Sequence, residues 1–216
     1  MKKSDSSIKI KKAFFSNIQS RNFFFLIKPT KNIYTNNVHR KLIEKQIEQL
    51  IKLDFMNIEI SWSDHENWVN YVSNLKVKFP KLNLGSASIY SKKAIDESIK
   101  IGLNYSMMKV WDKNLLNYSN SKNHLLIPGI KNLKELKEAI DLNCKIIKIY
   151  PVKDHIELIN LSQYKNIDFI AAGGLSISDI PFYKSLGYKA IVIGDKGFKN
   201  KVLNPNIHKY IKETSQ

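Results

Sequence analysis

Eight short apolar runs alternate with amphipathic stretches along the chain, and this alternation limits the possible folds more than any other feature. An unbroken apolar run predicts a buried strand, whereas apolar residues at helical spacing predict a surface helix. Eight strand and helix pairs in a chain of 216 residues predict an α/β protein with a (β/α)8 TIM barrel. The predicted strands are Phe23 to Ile27, Asn57 to Ser61, Leu82 to Ala87, Tyr105 to Met108, His124 to Pro128, Lys145 to Tyr150, Ile167 to Ala171 and Ala190 to Ile193.

The predicted helices occupy the segments that follow the strands, and three of them carry start signals of the capping-box type. In each signal a serine or asparagine precedes an acidic residue by three positions, so that both side chains can reach free backbone N–H groups. The pairs are Ser63 with Glu66, Asn132 with Glu135, and Ser176 with Asp179. The helices are predicted near residues 38–53, 64–79, 91–102, 112–118, 133–142, 155–163, 177–186 and 198–213.

The start of the chain adds one element to this pattern. An amphipathic segment at residues 8–20 predicts an extra N-terminal helix that covers one end of the barrel. No linker, low-complexity tract or Pro/Gly cluster divides the chain. We therefore predict a single TIM-barrel domain over residues 1–216, with residues 1–20 as its capping segment.

Composition narrows the possible partners. The net charge of +16 favours anions, but the lysines are spread along the whole chain, which is typical of a solvated surface and predicts no specific nucleic-acid partner. No run approaches the ~20 apolar residues of a membrane span. The basic start lacks the apolar core of a secretory signal, so we predict a cytoplasmic protein with no membrane partner. Cys144 is the single cysteine, and no histidine lies near it or near carboxylates at metal-ligand spacing, so we predict no metal.

Strand periodicity places two ionisable residues inside the predicted barrel. In the second strand the alternation turns Ile58 and Ile60 toward the helices and Glu59 toward the interior. In the sixth strand the same alternation turns Lys148 inward, although burying an ammonium group is costly. The two residues fit a structural ion pair, and they equally fit an amine nucleophile with an acid/base partner.

Small and hydroxyl-bearing residues end three other strands, which favours a ligand site. Leu84-Gly-Ser-Ala-Ser-Ile89 would let a ligand approach the end of the third strand closely. Gly173-Gly174 and the run Gly194-Asp-Lys-Gly197 follow the seventh and eighth strands. Barrels often bind phosphate between these two loops, through backbone N–H groups and a helix N-terminus. The sequence thus predicts a phosphate cradle opposite Lys148.

The ordered motifs resemble the 2-keto-3-deoxy-6-phosphogluconate (KDPG) and 4-hydroxy-2-oxoglutarate (KHG) aldolases, which are class I, Schiff-base enzymes. The similarity runs from about Phe23 to Phe198. The motifs that carry it, in chain order, are Ile58-Glu-Ile, Leu84-Gly-Ser-Ala-Ser, Leu126-Ile-Pro-Gly129, Ile147-Lys-Ile-Tyr-Pro151, Gly173-Gly174 and Ile193-Gly194.

The resemblance implies a mechanism without a cofactor. Lys148 would attack the keto carbon of a 2-oxo acid and form an imine, which withdraws electrons when the neighbouring carbon–carbon bond breaks. Glu59 would act as general acid/base through a water. The implied reaction cleaves a 4-hydroxy-2-oxo acid to pyruvate and an aldehyde, either glyceraldehyde 3-phosphate or glyoxylate. The resemblance also implies a homotrimer. The substrate-binding positions it implies are Lys28, Ser63, Ser88, Lys109, Pro128, Tyr150, Gly173, Gly174, Gly194 and Lys196.

Several of these positions depart from the family pattern. Lys28 stands where an arginine usually holds the substrate carboxylate, and it keeps the charge but loses bidentate geometry. Ser63 stands where a second arginine is usual, and Lys109, in place of a Ser-Pro loop, would supply the missing charge. Ala172 replaces a threonine beside the glycine pair, and Lys196 replaces a serine near the last strand.

These departures leave three hypotheses open. The first is a class I aldolase that uses Lys148 and Glu59. The second is a catalytically degenerate barrel that binds an anionic ligand or partner, which the changes at Ser63, Lys109 and Ala172 would explain. The third is a phosphate-binding isomerase or synthase of similar shape, which would need no Schiff base.

Overall fold

Nine short parallel strands form the central sheet, and helices surround it. The computed structural model describes Phe14 and residues 22–155, 161–199 and 202–214. The sheet order is β5-β4-β3-β2-β1-β9-β8-β7-β6. The strands are β1 (Phe23–Ile27), β2 (Asn57–Ser61), β3 (Asn83–Ile89), β4 (Tyr105–Met108), β5 (Leu126–Ile127), β6 (Gly129–Ile130), β7 (Ile146–Ile149), β8 (Asp168–Leu175) and β9 (Ala190–Ile193).

The sheet has nine strands because Pro128 splits the fifth run of the barrel in two. A proline has no N–H to donate, so the ladder is interrupted between β5 and β6. The Pro128 carbonyl still accepts a hydrogen bond from Lys148 N at 2.9 Å, which joins the split run to β7. β5 pairs with β4 and β6 pairs with β7. The predicted (β/α)8 barrel is therefore confirmed, with its fifth strand in two pieces.

Helices follow most strands in the predicted order. Among the described residues they are α1 (Asn37–Ile51), α2 (Trp68–Lys78), α3 (Lys92–Ile101), α4 (Lys113–Ser121), α5 (Leu133–Asp141), α6 (Ile180–Ser185) and α7 (Pro205–Glu213). Asn132 caps α5 by accepting from Glu135 N at 2.9 Å, as predicted. The Ser176 and Asp179 capping box is present, ahead of a single 3-10 turn that leads into α6. No helix in the described part of the chain is long and apolar enough to span a bilayer.

Three predicted helix segments were wrong in part. Ser63 bonds to the Tyr34 hydroxyl at 2.6 Å and caps nothing, so α2 begins only at Trp68. Residues 198–204 include a short hairpin of β10 (Phe198–Lys199) with β11 (Val202–Leu203), and α7 begins after it at Pro205. The segment predicted as a helix at 155–163 follows a 3-10 turn at Val152–Asp154 and ends in another at Leu161–Gln163, and its residues 156–160 lie outside the described residues.

Apolar side chains fill part of the barrel interior and form one core cluster. Inward-facing side chains from alternate positions of the strands pack into one cluster, as strand periodicity requires. Phe14 belongs to this cluster, and its ring stacks on Phe24 with centroids 5.5 Å apart and meets Tyr105 edge-on at 4.9 Å. The rest of the predicted 8–20 helix and 1–20 capping segment lies outside the described residues, so both stay predictions. The cluster is Phe14, Phe24, Tyr105, Met107, Ile127, Ile146, Ile170, Ala172, Ala190 and Val192.

Candidate active site

A cavity of about 470 Å³ lies at the carboxyl ends of the barrel strands, where barrel enzymes carry their active sites. Ten of the twelve side chains or backbone positions predicted from the sequence line it. The ten are Lys28, Glu59, Ser88, Lys109, Lys148, Tyr150, Gly173, Gly174, Gly194 and Lys196. Residues that are distant in sequence thus share one concave surface.

Lys148 projects from the middle of β7 into this cavity and is only 6% exposed. Its Nζ lies 5.8 Å from the centroid of the Tyr150 ring. A Cβ on Gly129 would lie 3.4 Å from Lys148 Cε and 2.6 Å from the Met108 carbonyl oxygen, so a glycine is needed there. Burial lowers the pKa of the Lys148 amine below its ordinary value, and the Glu59 charge opposes this shift. More of the amine is therefore unprotonated near neutral pH than in water.

Glu59 lies on β2, is 1% exposed and also lines the cavity. Its Oε1 atom has no hydrogen-bond partner among the described residues. Burial raises the pKa of the Glu59 carboxyl, and the Lys148 charge lowers it to a smaller extent. The two pKa values are thus displaced toward each other, so that a proton can be held by either group near neutral pH.

Tyr105 is a further buried residue close enough to Glu59 to feel its charge, and no sequence motif singled it out. Cross-strand pairing aligns Glu59 with Gly85 and Gly85 with Tyr105. A Cβ on Gly85 would lie 2.4 Å from Tyr105 Cζ, so the ring passes over Gly85. The Tyr105 hydroxyl is buried without a partner among the described side chains, and burial together with the Glu59 charge raises its pKa. Alternation along the fourth strand is the sequence signal that could have identified this residue as facing inward.

Ser88 holds an unusual backbone conformation at the rim of the cavity. Its φ is +62°, which residues other than glycine adopt only at a cost. The pairing of β3 with β4 changes register between Ser86 and Ile89, which places this residue in an irregularity. Its Oγ accepts a hydrogen bond from Ser61 Oγ at 2.9 Å. A strained residue on the cavity wall favours a functional role for this strand end.

Gly173 and Gly174 form a bulge inside β8, which corrects the prediction that they follow this strand in a loop. Their φ angles are +123° and +63°, and the register with β9 shifts between Ala171 and Leu175. A Cβ on Gly173 would lie 3.0 Å from Pro151 Cα, whereas one on Gly174 would meet nothing within 4 Å. We call the wall formed by Gly173, Gly174 and Gly194, with Lys28 and Lys196 beside it, the glycine corner.

An ion pair crosses the glycine corner. Lys28 Nζ lies 3.0 Å from Asp195 Oδ2, and Lys28 also lies 3.9 Å from where a Cβ on Gly194 would stand. Asp195 was not predicted as a site residue, although it lies inside the Gly194 to Gly197 run that follows the last strand. Lys28 was expected to hold the carboxylate of the substrate, but it is already paired with the carboxylate of Asp195. Lys196 and Lys109 line the same cavity and are exposed.

Two of the predicted positions do not line the cavity. Ser63 lies beside Tyr34, whose ring stacks on His65 with centroids 4.1 Å apart. Pro128 is buried and contributes its carbonyl to β7. The described residues contain no group of three or more His, Cys, Asp or Glu side chains placed to hold a metal ion.

The sequence profile of the family described as KDPG and KHG aldolase matches residues 33–213 of the chain. None of the curated proteins compared with the chain matches it in sequence. The KDPG aldolase of Legionella pneumophila, solved with pyruvate captured at low pH as a covalent carbinolamine intermediate, is 14% identical with a TM-score of 0.73. That alignment covers 92% of this chain and 94% of the Legionella chain.

Two further solved structures have the same fold. The KDPG aldolase of Zymomonas mobilis ZM4 with 3-phosphoglycerate is 14% identical, with a TM-score of 0.74 over 94% of this chain and 93% of that chain. The thiamine phosphate pyrophosphorylase of Pyrococcus furiosus is 10% identical, with a TM-score of 0.63 over 91% of this chain and 98% of that chain. At such identities a structure shows the fold alone, whereas the profile spans most of the sequence. The chain belongs to the KDPG and KHG aldolase family and is an aldolase, a carbon–carbon lyase.

Proposed function

We propose that the protein is a class I aldolase that cleaves a 4-hydroxy-2-oxo acid to pyruvate and an aldehyde through a Schiff base on Lys148. The observation that carries this proposal is the buried Lys148 amine, which faces a cavity of about 470 Å³ together with the buried Glu59 carboxyl. A lysine whose pKa burial lowers is a nucleophile near neutral pH. A structural ion pair, the alternative from the sequence, would leave no reason for Glu59 Oε1 to lack a partner.

The first step joins the substrate to the enzyme. The unprotonated Lys148 amine attacks the keto carbon, and the nitrogen loses a proton while the former keto oxygen gains one, which gives a carbinolamine. Glu59 supplies a proton to the departing hydroxyl, water leaves, and a protonated imine remains. The raised pKa of Glu59 suits this step, because the carboxyl holds a proton at a pH where an ordinary glutamate does not.

The second step breaks the carbon–carbon bond. Glu59, now a carboxylate, accepts the proton of the C4 hydroxyl, the C3–C4 electron pair moves toward the iminium nitrogen, and an aldehyde leaves. Glu59 gives this proton to C3 of the remaining enamine, which restores a protonated imine. Water then adds to the imine carbon and returns a proton to Glu59, and loss of the Lys148 amine releases pyruvate. Glu59 and Lys148 thus return to their starting protonation states and the proton of the C4 hydroxyl ends on C3 of pyruvate, so the cycle balances with the substrate, water and these two residues.

The known relatives agree with this proposal. The Legionella pneumophila enzyme holds pyruvate as a covalent carbinolamine, the same kind of adduct that we propose for the substrate in the first step and for pyruvate before its release. The homotrimer implied by the family and the cytoplasmic location inferred from the sequence stay predictions. Sedimentation velocity tests the first of them, and a strict monomer at micromolar concentration would contradict it.

The proposal is tested by incubating the purified protein with pyruvate and sodium borohydride, which reduces an imine irreversibly. Intact mass and peptide mapping should find one reduced pyruvate on Lys148. The variant Lys148→Ala should gain none, and Lys145→Ala, a matched change in the same run, should be labelled like wild type. An unlabelled wild-type protein would contradict the aldolase and favour the degenerate, anion-binding barrel.

A second variant tests the partnership of the two groups. The Glu59 charge raises the pKa of the Lys148 amine, so Glu59→Gln should lower that pKa further. The pH at which imine formation reaches half its maximum should then move down, while the maximal rate falls by roughly 10²-fold or more because the acid/base group is lost. Borohydride quenching over a pH series measures both, with the exposed Glu66→Gln as control. An upward shift would show that the charges do not interact as described.

A further inference from the structure

We propose that Asp195 excludes phosphate from the glycine corner and that the aldehyde released by this enzyme is an uncharged hydroxyaldehyde. This inference rests on the proposed aldolase function and names the chemistry of the second half of its substrate. It is carried by one observation, the carboxylate of Asp195 inside the corner that would otherwise be suited to an anion.

The net positive charge of the glycine corner is smaller than its two lysines alone would give. Lys28 and Lys196 bring two positive charges to the cavity wall beside Gly194. Asp195 precedes Lys196 in the chain and lines the same cavity, and its Oδ2 is 3.0 Å from Lys28 Nζ. The charge of Lys28 is therefore compensated within the protein. A dianion that approached Lys28 would meet the Asp195 carboxylate at nearly the same distance.

The strength of the repulsion between Asp195 and a phosphate determines how far Asp195 lowers phosphate affinity. The ion pair is exposed, with 53% of the Lys28 side chain and 79% of the Asp195 side chain accessible, so it contributes little to stability. Repulsion between unit charges about 4 Å apart near a protein surface nevertheless changes affinity by roughly tenfold or more, and the double charge of a phosphate dianion doubles the repulsion energy. Asp195 thus acts on the ligand more than on the fold.

The hydrogen-bonding groups of Lys28 and Asp195 determine which ligand group the pair can bind. Lys28 offers N–H donors and no acceptor, whereas an ionised Asp195 offers acceptors and no donor. A hydroxyl group donates and accepts at once, so it can bond to both side chains without separating them. The dianion of a phosphate monoester has acceptors only and can satisfy Lys28 alone. The corner is therefore complementary to a hydroxyl-bearing, uncharged chain end.

The first test measures phosphate binding without any catalysis. Inorganic phosphate is titrated at pH 7.5 while the amide signals of Gly173, Gly174 and Gly194 are followed by NMR. The isosteric variant Asp195→Asn should bind phosphate at least about tenfold more tightly than wild type. Asp154→Asn removes the same charge from an exposed position at the same end of the barrel and should bind like wild type.

The second test measures acceptor preference in the aldol direction. Wild-type protein should add pyruvate to glyceraldehyde with a higher kcat/KM than to glyceraldehyde 3-phosphate or glyoxylate. Asp195→Asn should shift the ratio of kcat/KM toward the phosphorylated acceptor by about tenfold or more, and Asp154→Asn should leave the ratio unchanged.

The two possible failures give different results. Wild-type protein that binds phosphate as tightly as Asp195→Asn, or that prefers a charged acceptor, would overturn the role of Asp195 even if pyruvate labels Lys148. Weak phosphate binding by wild type with no pyruvate adduct would instead overturn the aldolase function, because the corner would then serve another ligand.

Discussion

Two buried polar regions lie on opposite faces of β4, and they differ in whether their hydrogen bonds are complete. On the outer face Ser86 Oγ bonds to Ser98 Oγ at 2.8 Å and to Ser106 Oγ at 2.7 Å, and Ser106 Oγ bonds to His124 Nε2 at 2.7 Å. We call these four residues the serine–histidine network. On the inner face Glu59 Oε1 and the Tyr105 hydroxyl are both buried without a partner among the described residues.

The completeness of the hydrogen bonds distinguishes the structural polar region from the region that can bind a substrate. A buried polar group with a complete set of partners holds its neighbours in place, whereas one without partners destabilises the fold. The network therefore fixes β3, β4 and α3 against one another. The incomplete region faces the cavity, where a substrate can supply the missing partners. Removing groups from the two regions should thus have opposite effects on stability and activity.

The largest effect is expected for Lys148→Met, which removes the nucleophile and keeps an apolar stem. The kcat/KM for aldol cleavage should fall by roughly 10³-fold or more, because the imine can no longer form. The free energy of unfolding at pH 7.5 should stay the same or rise, since an amine whose burial is unfavourable is gone. Steady-state kinetics and urea unfolding measure the two quantities.

The matched control is Lys145→Met, which makes the same change at a half-buried position before β7. It should leave both quantities close to wild type. A Lys148→Met protein that keeps more than a tenth of wild-type kcat/KM would contradict the assigned nucleophile. A large loss of stability would place Lys148 among structural residues instead.

The sequence predicted the inner face well where local periodicity decides it. Glu59 and Lys148 both point into the barrel because side chains alternate along a strand, and that alternation is visible within five residues. The (β/α)8 fold was predicted for the same reason, since each apolar run and each amphipathic stretch carries its own signal. Pro128 split a strand without changing the order of the barrel.

What the sequence could not supply depends on contacts between distant residues. The Tyr105 ring lies over Gly85, which is paired with both Glu59 and Tyr105 in the sheet, and no local pattern contains that register. Ser63 was expected to cap a helix, but a tyrosine hydroxyl 29 positions earlier in the chain bonds to it instead. The pairing of Lys28 with Asp195 joins the first and last strands of the barrel across 167 positions. Partners of this kind are visible only once the barrel is closed.

The second largest effect is expected on the outer face, from the pH dependence of stability that His124 imposes. Burial lowers the pKa of His124 from 6.5 to about 4. The unfolded chain therefore binds more protons between these values, and stability present above about pH 6.5 is lost as pH falls toward 4. The loss attributable to His124 should reach about 3 kcal/mol.

Urea unfolding between pH 7 and pH 4.5 measures this loss in wild type and in His124→Gln. The variant cannot titrate at this position, so its stability should fall less across the range. His208→Gln, an exposed histidine, should keep the wild-type slope. Groups such as Glu59 titrate in all three proteins and cancel in the comparison. Equal slopes for wild type and His124→Gln would show that His124 is not held neutral by the fold.

A smaller effect is expected for Ser106→Ala, which removes the central hydroxyl of the network. His124 Nε2 would lose its partner and Ser86 one of its two, both in a fully buried setting. Stability should fall by roughly 2 kcal/mol, while kcat/KM per folded molecule stays within a few-fold of wild type. Urea unfolding at pH 7.5 with kinetics on the same preparation tests this. An unchanged stability would mean that the network does not act as a unit.

The smallest effect is expected for Tyr105, the residue next to Ser106 in the chain. Its substitution should raise the free energy of unfolding, whereas Ser106→Ala lowers it. Tyr105→Phe removes a buried hydroxyl that has no partner, while the ring that packs on Phe14 and Phe24 is kept. Stability should rise by about 1 kcal/mol, since an unsatisfied hydroxyl is no longer kept from water. Ser106→Ala is the matched control, because it deletes one hydroxyl from the next residue of the same strand. A Tyr105→Phe protein less stable than wild type would show that the phenol has a partner in solution, and the inner face would then be as complete as the outer one.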